Sequence, residues 1–344
     1  TVFVGPQQLE IQEVEERPLA DDEVRLQTLY SGISAGTELT AYRGSNPYLH
    51  KRWDGAQRLF VNDSETSMRF PIVGFGYEEC GEVLDVGATV TQVQPGDRVY
   101  GTWGHRTHHI VSEAYAATRI LSPEIDPILG VFSQIGAIGL NGILDAAIRV
   151  GETVVVFGLG TPGQIIAQLA KCSGAHVIGV EPIELRRTAA LELGAVDLAL
   201  SPAAGNVAEQ VRDLTDGRGA DVCIEASGAY SALHDAIRAA AYSAKVVTLG
   251  FFQGQGEGLY LGEEFHHNRI NVVCSQIFGV SPELTYRWDQ ARLVRTFMQM
   301  QAEGVVDLQP IITHVLPFAD AAEAFRLCDL EAEKTIQVVL DFSA

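Results

Sequence analysis

Three glycines in the run from residue 153 to residue 163, TVVVFGLGTPG, have a spacing that suits a phosphate-binding turn. A strand-like apolar segment precedes them and a helix-like segment follows. Gly158 permits the tight turn, Gly160 lets the backbone approach a pyrophosphate, and Gly163 lets the helix pack on the strand. Free N–H groups at the helix N-terminus also attract phosphate. The run therefore predicts a bound dinucleotide; the alternative is a glycine-rich turn in an ordinary α/β domain.

An acidic residue, Glu181, ends the next strand-like segment, HVIGV at residues 176–180. A carboxylate there would accept hydrogen bonds from the adenosine ribose hydroxyls and repel a 2′-phosphate. Arg186 and Arg187 follow shortly and could instead accept that phosphate. We expect NAD rather than NADP.

Composition restricts the classes of partner. The net charge of −20 argues against nucleic acid and against an anionic membrane surface. The five cysteines show no C-x-x-C spacing, which is typical of reduced thiols in a cytoplasmic protein. A length of 344 residues suggests two domains. We expect a small-molecule substrate rather than a macromolecule.

Two kinds of pattern divide the chain. Residues 1–125 contain short strand signals bounded by glycine, and within them residues 44–70 form a polar stretch that we interpret as a lid or subunit contact, with a disordered insertion as the alternative. From residue 152, strand-like and helix-like runs alternate, which predicts a doubly wound parallel sheet. The final strand-like run, at residues 335–340, is expected to join the N-terminal domain.

The order of several motifs resembles the medium-chain dehydrogenase/reductase superfamily, which includes the alcohol dehydrogenases. The matching segments are SGISAGTE at 31–38, GYEECGEV at 76–83, GDRV at 96–99, the glycine turn, EASG at 225–228 and VVTLG at 246–250. The resemblance implies an α/β fold with a GroES-like β-rich catalytic domain, residues 1–136 and 280–344, and a Rossmann domain, residues 137–279. It also implies a homodimer or homotetramer joined through Rossmann sheet edges, with the strand near residue 270 as the edge.

The motifs depart from the zinc-containing members at the metal ligands. Ser34, Tyr77 and Gln134 stand where those members have Cys, His and Cys or Glu. Catalytic zinc needs about three thiolate, imidazole or carboxylate ligands. We therefore predict neither catalytic nor structural zinc. The histidines at 105–109 and 266–267 lack a zinc spacing, and we interpret them as an alternating strand and a solvated loop.

Without zinc, side chains must handle the proton and the developing oxyanion. The resemblance implies catalytic roles for Thr37, Tyr77 and His105, with His105 titrating near neutrality. The alternatives are an aromatic filler at Tyr77 and a satisfied loop histidine at His105. The expected substrate-pocket residues are Glu38, Glu78 and Trp103.

The predicted function is a zinc-independent, NAD-dependent oxidoreductase acting on a hydroxyl or carbonyl of a polyol- or sugar-like molecule. The alternatives are an NADPH-dependent quinone or enone reductase and a non-catalytic nucleotide-binding protein. The expected cofactor-binding residues are Gly158, Leu159, Gly160, Thr161, Pro162, Gly163, Glu181, Arg186, Ala226, Ser227, Gly250, Ser275 and Gln276.

Overall fold

A computed structural model describes residues 1–62 and 65–343, and the chain forms two compact units. The first unit comprises residues 1–134 and 314–344, and the second comprises residues 135–313. Sequence analysis assigned residues 280–313 to the catalytic domain, whereas the structure packs them with the second unit. Asp63 and Ser64, which belong to the 44–70 stretch, lie outside the described residues.

The N-terminal part of the first unit is built from short strands. In chain order its elements are β1 (Val2–Gly5), β2 (Gln8–Glu10), β3 (Glu23–Gly32), α1 (Glu38–Arg43), β4 (Arg52–Asp54), β5 (Leu59–Val61), β6 (Ile72–Val73), β7 (Glu79–Val86), β8 (Arg98–Gly101), β9 (His108–Ser112) and α2 (Glu113–Ala117). Strand β3 is central because β7 and β9 both pair with it, antiparallel. Its residues alternate between buried and partly exposed, and Val24, Leu26 and Thr28 are buried.

The 44–70 stretch contains ordered structure. A 3-10 turn at Pro47–Leu49 precedes an antiparallel hairpin of β4 and β5. The Trp53 and Phe60 rings lie 5.0 Å apart, and Tyr48 lies 5.3 Å from Phe60. These aromatic contacts give the hairpin a small apolar cluster of its own.

The second unit follows as alternating helices and strands. Its elements are α3 (Ser133–Ala146), β10 (Thr153–Phe157), α4 (Thr161–Cys172), β11 (His176–Val180), α5 (Glu184–Glu192), β12 (Leu198–Leu200), α6 (Val207–Asp213), β13 (Ala220–Glu225), α7 (Tyr230–Ala239), β14 (Ala240–Thr248), β15 (Asn271–Cys274) and α8 (Gln290–Ala302). The strands form one parallel sheet in the order β12-β11-β10-β13-β14-β15. The order reverses on either side of β10, as in a Rossmann fold.

Hydrophobic composition explains the central strands of this sheet. Val154, Val155 and Val156 of β10 are all 0 % exposed, as expected for a strand covered on both faces. Helix α8 belongs here because Phe297 is buried so close to α3 that a β-carbon on Gly136 would lie 1.9 Å from its ring.

The chain then returns to the first unit through β16 (Ile312–Pro317), α9 (Ala321–Leu330) and β17 (Gln337–Asp341). Strand β17 pairs antiparallel with β3, so the last strand joins the N-terminal domain as the sequence predicted. One stretch, Pro127–Ala146, is long and apolar enough to span a membrane by length and composition, but 72 % of its most apolar window is buried. That burial is typical of a core helix.

Candidate active site

The glycine turn has the geometry that the sequence predicted for a dinucleotide site. Gly158 has φ +88°, which favours glycine, and it follows β10 directly. A β-carbon on Gly163 would lie 1.9 Å from the Gly158 carbonyl oxygen. A β-carbon on Gly160 would meet nothing closer than 3.8 Å. Gly160 caps α4, so open space lies at the helix N-terminus, where phosphate binds favourably.

The Glu181 side chain organises the same turn. It is 3 % exposed, and its two carboxylate oxygens accept hydrogen bonds from the backbone N–H groups of Leu159 (2.8 Å) and Ile183 (3.0 Å). Arg186 Nη1 lies 4.0 Å from Glu181 Oε2. Arg187 Nη1 instead donates to the carbonyl oxygens of Glu181 and Pro182, both at 2.7 Å. The Arg187 Nη1 donor is therefore committed to the backbone.

A second buried acid, Glu225, was missed as a site residue although the sequence analysis quoted its motif. It ends β13, and its Oε1 accepts the N–H groups of Ser227 (2.8 Å) and Gly228 (3.0 Å). A β-carbon on Gly250 would lie 2.5 Å from Glu225 Oε2. Glu225 therefore fixes the loop that contains Ala226 and Ser227 and packs against Gly250, which all belong to the predicted cofactor set.

The remaining predicted cofactor residues lie at or just after the end of β15. Ser275 is buried, and its hydroxyl accepts a hydrogen bond from Asn141 Nδ2 at 3.2 Å. The Gln276 side chain accepts the Phe278 N–H at 2.7 Å. The carboxyl ends of β10, β11, β13, β14 and β15 meet at one edge of the parallel sheet, so these residues share that edge with the glycine turn.

In the first unit, the hydroxyls of two predicted catalytic residues, Thr37 and Tyr77, come together with the hydroxyl of Ser34. The Ser34 and Tyr77 hydroxyls form a short hydrogen bond, and Tyr77 Oη donates to Thr37 Oγ1 at 3.3 Å. Ser34 follows β3, Thr37 precedes α1, and Tyr77 precedes β7. We call Ser34, Thr37 and Tyr77 the hydroxyl cluster.

The hydroxyl cluster does not fit a catalytic zinc ion. Ser34 and Tyr77 bond to each other, and neither offers the thiolate, imidazole or carboxylate that zinc prefers. Burial, and then the Glu78 carboxylate, raise the pKa of the Tyr77 phenol well above its ordinary range, which opposes a phenolate ligand. Among residues 1–62 and 65–343, no group of three or more His, Cys, Asp and Glu side chains is arranged to hold a metal.

Behind the hydroxyl cluster lies a buried hydrogen-bonded chain. Glu38 Oε1 accepts the Ser34 N–H at 3.0 Å, and Glu38 Oε2 lies 2.6 Å from His105 Nε2. His105 Nδ1 lies 2.6 Å from Ser31 Oγ, and Ser31 Oγ donates to Glu79 Oε1 at 3.2 Å. We call Glu38, His105, Ser31 and Glu79 the buried chain; sequence reasoning missed Ser31 and Glu79, which no motif distinguishes.

Burial determines the charge states within the buried chain. It raises the pKa of Glu38 well above the usual range and that of Glu79 to about 7. It lowers the pKa of His105 to about 4. The expectation that His105 titrates near neutrality is therefore wrong. A protonated Glu38 then donates to His105 Nε2, and His105 Nδ1–H donates to Ser31 Oγ. With these protons, every donor of the buried chain has an acceptor.

Two further predicted residues have structural contacts. Trp103 is 5 % exposed and packs in a core cluster with Val24 and Leu26, and its Nε1 donates to Thr28 Oγ1 at 2.9 Å. Its indole therefore packs as a core side chain of the first unit. Glu78 is also buried, and its Oε2 accepts Gln337 Nε2 at 3.0 Å. Burial, then the Glu38 and Glu79 carboxylates, raise the Glu78 pKa well above its usual range.

Comparisons with known proteins agree with this fold. The family model described as "Zinc-binding dehydrogenase" matches residues 163–291. D-guloside 3-dehydrogenase of Escherichia coli K12 is 30 % identical over 99 % of each chain. L-threonine 3-dehydrogenase of Pyrococcus furiosus is 29 % identical over 80 % of this chain and 83 % of its own. The crystal structure of 2R,3R-butanediol dehydrogenase from Bacillus subtilis has a TM-score of 0.78 and 20 % identity, covering 99 % of this chain and 98 % of its own.

A Rossmann sheet with its glycine turn, joined in sequence to a GroES-like β-rich unit, defines a nicotinamide-dependent dehydrogenase fold. The chain belongs to the medium-chain dehydrogenase/reductase superfamily. It is an oxidoreductase of the class that acts on hydroxyl groups.

Proposed function

We propose that the protein is a zinc-independent, NAD(H)-dependent dehydrogenase that moves a hydride between nicotinamide and a hydroxyl or carbonyl carbon of a polyol- or sugar-like molecule. The observation that carries the proposal is the hydroxyl cluster, in which Ser34 and Tyr77, at positions where the family resemblance implies zinc ligands, bond to each other and Tyr77 also bonds to Thr37. The name of the E. coli relative, D-guloside 3-dehydrogenase, supports a sugar-like substrate.

The charges around the glycine turn support NAD over NADP. Glu181 presents a buried carboxylate beside the turn, and a 2′-phosphate would have to approach that negative charge. Arg187 uses its Nη1 for two backbone carbonyls, which lowers its capacity to pair with a phosphate. Bound nicotinamide would supply or accept the hydride. The dinucleotide would be held by the glycine turn, by Glu181 and by the loop that Glu225 fixes.

The hydroxyl cluster supplies the proton that the substrate oxygen takes up during reduction. A phenol whose pKa is raised stays protonated at neutral pH, so Tyr77 Oη–H is the donor to a substrate oxygen during reduction. Donation in a half-buried site stabilises negative charge that develops on that oxygen. The Ser34 and Thr37 hydroxyls lie in contact with Tyr77 Oη, so each can pass its proton to the Tyr77 oxygen while it takes up another from water, which replaces the proton given to the substrate.

His105 acts as a positioning residue in this proposal, because its ring is fully buried and both of its nitrogens are already bonded. It holds Glu38, and Glu38 holds the backbone N–H of Ser34. The buried chain therefore fixes the loop on which two of the three cluster hydroxyls sit.

Metal analysis and a cofactor titration test the proposal. Purified protein should contain far less than one zinc ion per chain, and activity on a polyol panel should survive chelator treatment. Nicotinamide fluorescence should show tighter binding of NADH than of NADPH, and Glu181→Ala should narrow that difference by removing the repelling charge. One tightly held, activity-supporting zinc ion per chain would overturn zinc independence, and tighter NADPH binding by the unmodified protein would overturn the cofactor preference.

A further inference from the structure

The first unit contains a cleft of about 710 Å³ that is separate from the hydroxyl cluster. Residues 11–17 line it together with Val73, Gly74 and residues 106–110, and none of Ser34, Thr37 and Tyr77 does. Its volume lies within the range of small-molecule sites. The cleft therefore has room for a ligand other than the substrate proposed above.

Arg106 lines the cleft with a buried donor that is unsatisfied. Its Nε is buried without a hydrogen-bond partner, and no ion pair of Arg106 is found among the described residues. Buried donors in folded proteins nearly always have an acceptor. A guanidinium presents a planar fork of N–H groups that matches a carboxylate or a phosphate. The chemistry of the unsatisfied group therefore points to an oxyanion.

The surroundings hold the Arg106 guanidinium in place before any ligand arrives. Gly74 has φ +59°, and a β-carbon there would lie 1.9 Å from Arg106 Nη2, so the guanidinium packs on bare backbone. Thr28 fixes the main chain at this point, since its Oγ1 donates to the Arg106 carbonyl at 2.6 Å and its N–H donates to the Thr107 carbonyl at 2.8 Å. Such preorganisation lowers the entropic cost of binding.

The other arginine of the cleft is already paired. Arg17 forms a bidentate contact with Glu23, with both N–O distances 2.6 Å. Glu16 forms an ion pair with Arg25 at 2.8 Å. These two pairs anchor the segment 11–17 to β3 and leave Arg106 as the arginine available to a ligand.

Charge in the rest of the lining limits the ligand. Burial, followed by the charges of Arg106 and Arg17, lowers the pKa of His109 to about 4, so its ring is neutral at pH 7. Glu13 and Glu15 add negative charge to the lining. A ligand with several negative charges would be repelled, whereas one oxyanion at Arg106 would be tolerated.

We propose that this cleft binds a small organic molecule through a single oxyanion, a carboxylate or a phosphate, held by the Arg106 guanidinium. The remainder of the molecule lies between the 11–17 segment and the 106–110 segment. This site is independent of the proposed dehydrogenase reaction.

Isothermal titration calorimetry with acetate and with inorganic phosphate tests the site. The titrations use the full chain at low ionic strength with saturating NADH, so that nucleotide phosphates occupy the glycine turn. Arg106→Gln should weaken anion binding by about tenfold or more, as expected for loss of charge-assisted hydrogen bonds. Arg58→Gln, which removes an exposed arginine from the turn between β4 and β5, should bind as the unmodified protein does.

The two anions distinguish between the two possible ligand groups. Stronger binding of phosphate would assign a phosphate ligand, and stronger binding of acetate would assign a carboxylate ligand. Arg106→Lys keeps the charge and loses the fork, so it should bind more weakly than the unmodified protein even where Arg106→Gln fails to fold. Absence of binding by the unmodified protein, or equal binding by the Arg106 and Arg58 variants, would overturn the proposal.

Discussion

Tyr77 occupies a zinc-ligand position of the family pattern, and its neighbours give that position a different chemistry. The sequence could reveal this exchange because the position of the family's histidine lies within one contiguous segment, GYEECGEV at residues 76–83. It could not reveal the buried chain, because Ser31, Glu79 and His105 are brought together by the pairing of β3 with β7 and by the turn after β8. Burial also lowers the pKa of His105 to about 4, away from the expected titration near neutrality, and a linear motif does not show that this histidine is buried.

At the scale of single residues, His109 should make the free energy of unfolding depend on pH. Its pKa of about 4 in the folded protein lies below its ordinary 6.5, so the folded state binds fewer protons than the unfolded state between those values. The free energy of unfolding should therefore fall as the pH falls from 6.5 towards 4, and it should fall less in His109→Gln. Urea unfolding at a series of pH values measures this difference. His50→Gln, at an exposed position, is the control, and parallel pH profiles for the unmodified protein and His109→Gln would contradict the prediction.

At the scale of elements, strand β10 and helix α4 show how well local pattern predicts structure. Sequence analysis predicted a strand-like segment before the glycine turn and a helix-like segment after it, and the structure has these elements at Thr153–Phe157 and Thr161–Cys172. Strands with unbroken Val and Ile runs are recognisable because both faces are buried. Strand β14 begins at Ala240, well before the VVTLG motif at 246–250, and its start is hard to predict because no glycine or proline separates it from α7.

The two glycines at the start of α4 should separate folding from binding. Gly163→Ala should lower the free energy of unfolding by about 1–3 kcal/mol, because the new β-carbon must displace the Gly158 carbonyl. Gly160→Ala should leave stability nearly unchanged, since its β-carbon enters open space, but should weaken NADH binding by filling the approach to the pyrophosphate. Thermal unfolding and nicotinamide fluorescence measure the two effects. An unchanged free energy of unfolding for Gly163→Ala would contradict this account of the turn. NADH binding by Gly160→Ala as tight as by the unmodified protein would also contradict it.

At the scale of the whole molecule, the association of subunits stays a prediction from the family resemblance. Strand β15 ends the parallel sheet, and Val272 on it is 42 % exposed, so its free edge is available for pairing with a second copy. Val272→Lys should convert a dimer or tetramer into smaller species, because a charged edge strand resists pairing. Light scattering coupled to size-exclusion chromatography measures this mass. Val315→Lys, on an exposed residue of β16, is the control, and an unchanged mass for Val272→Lys would contradict an interface at β15.

The central claim is that the hydroxyl cluster manages the proton in place of a metal. The direct measurement is kcat for carbonyl reduction by Tyr77→Phe with NADH and the oxidised form of the best substrate from the polyol panel, on protein of known metal content. Loss of the phenol should lower kcat by about 10²-fold or more, as for other general acid–base groups, and leave the dissociation constant of NADH unchanged. A kcat within about twofold of the unmodified enzyme, a change too small for general acid–base catalysis, would contradict the claim.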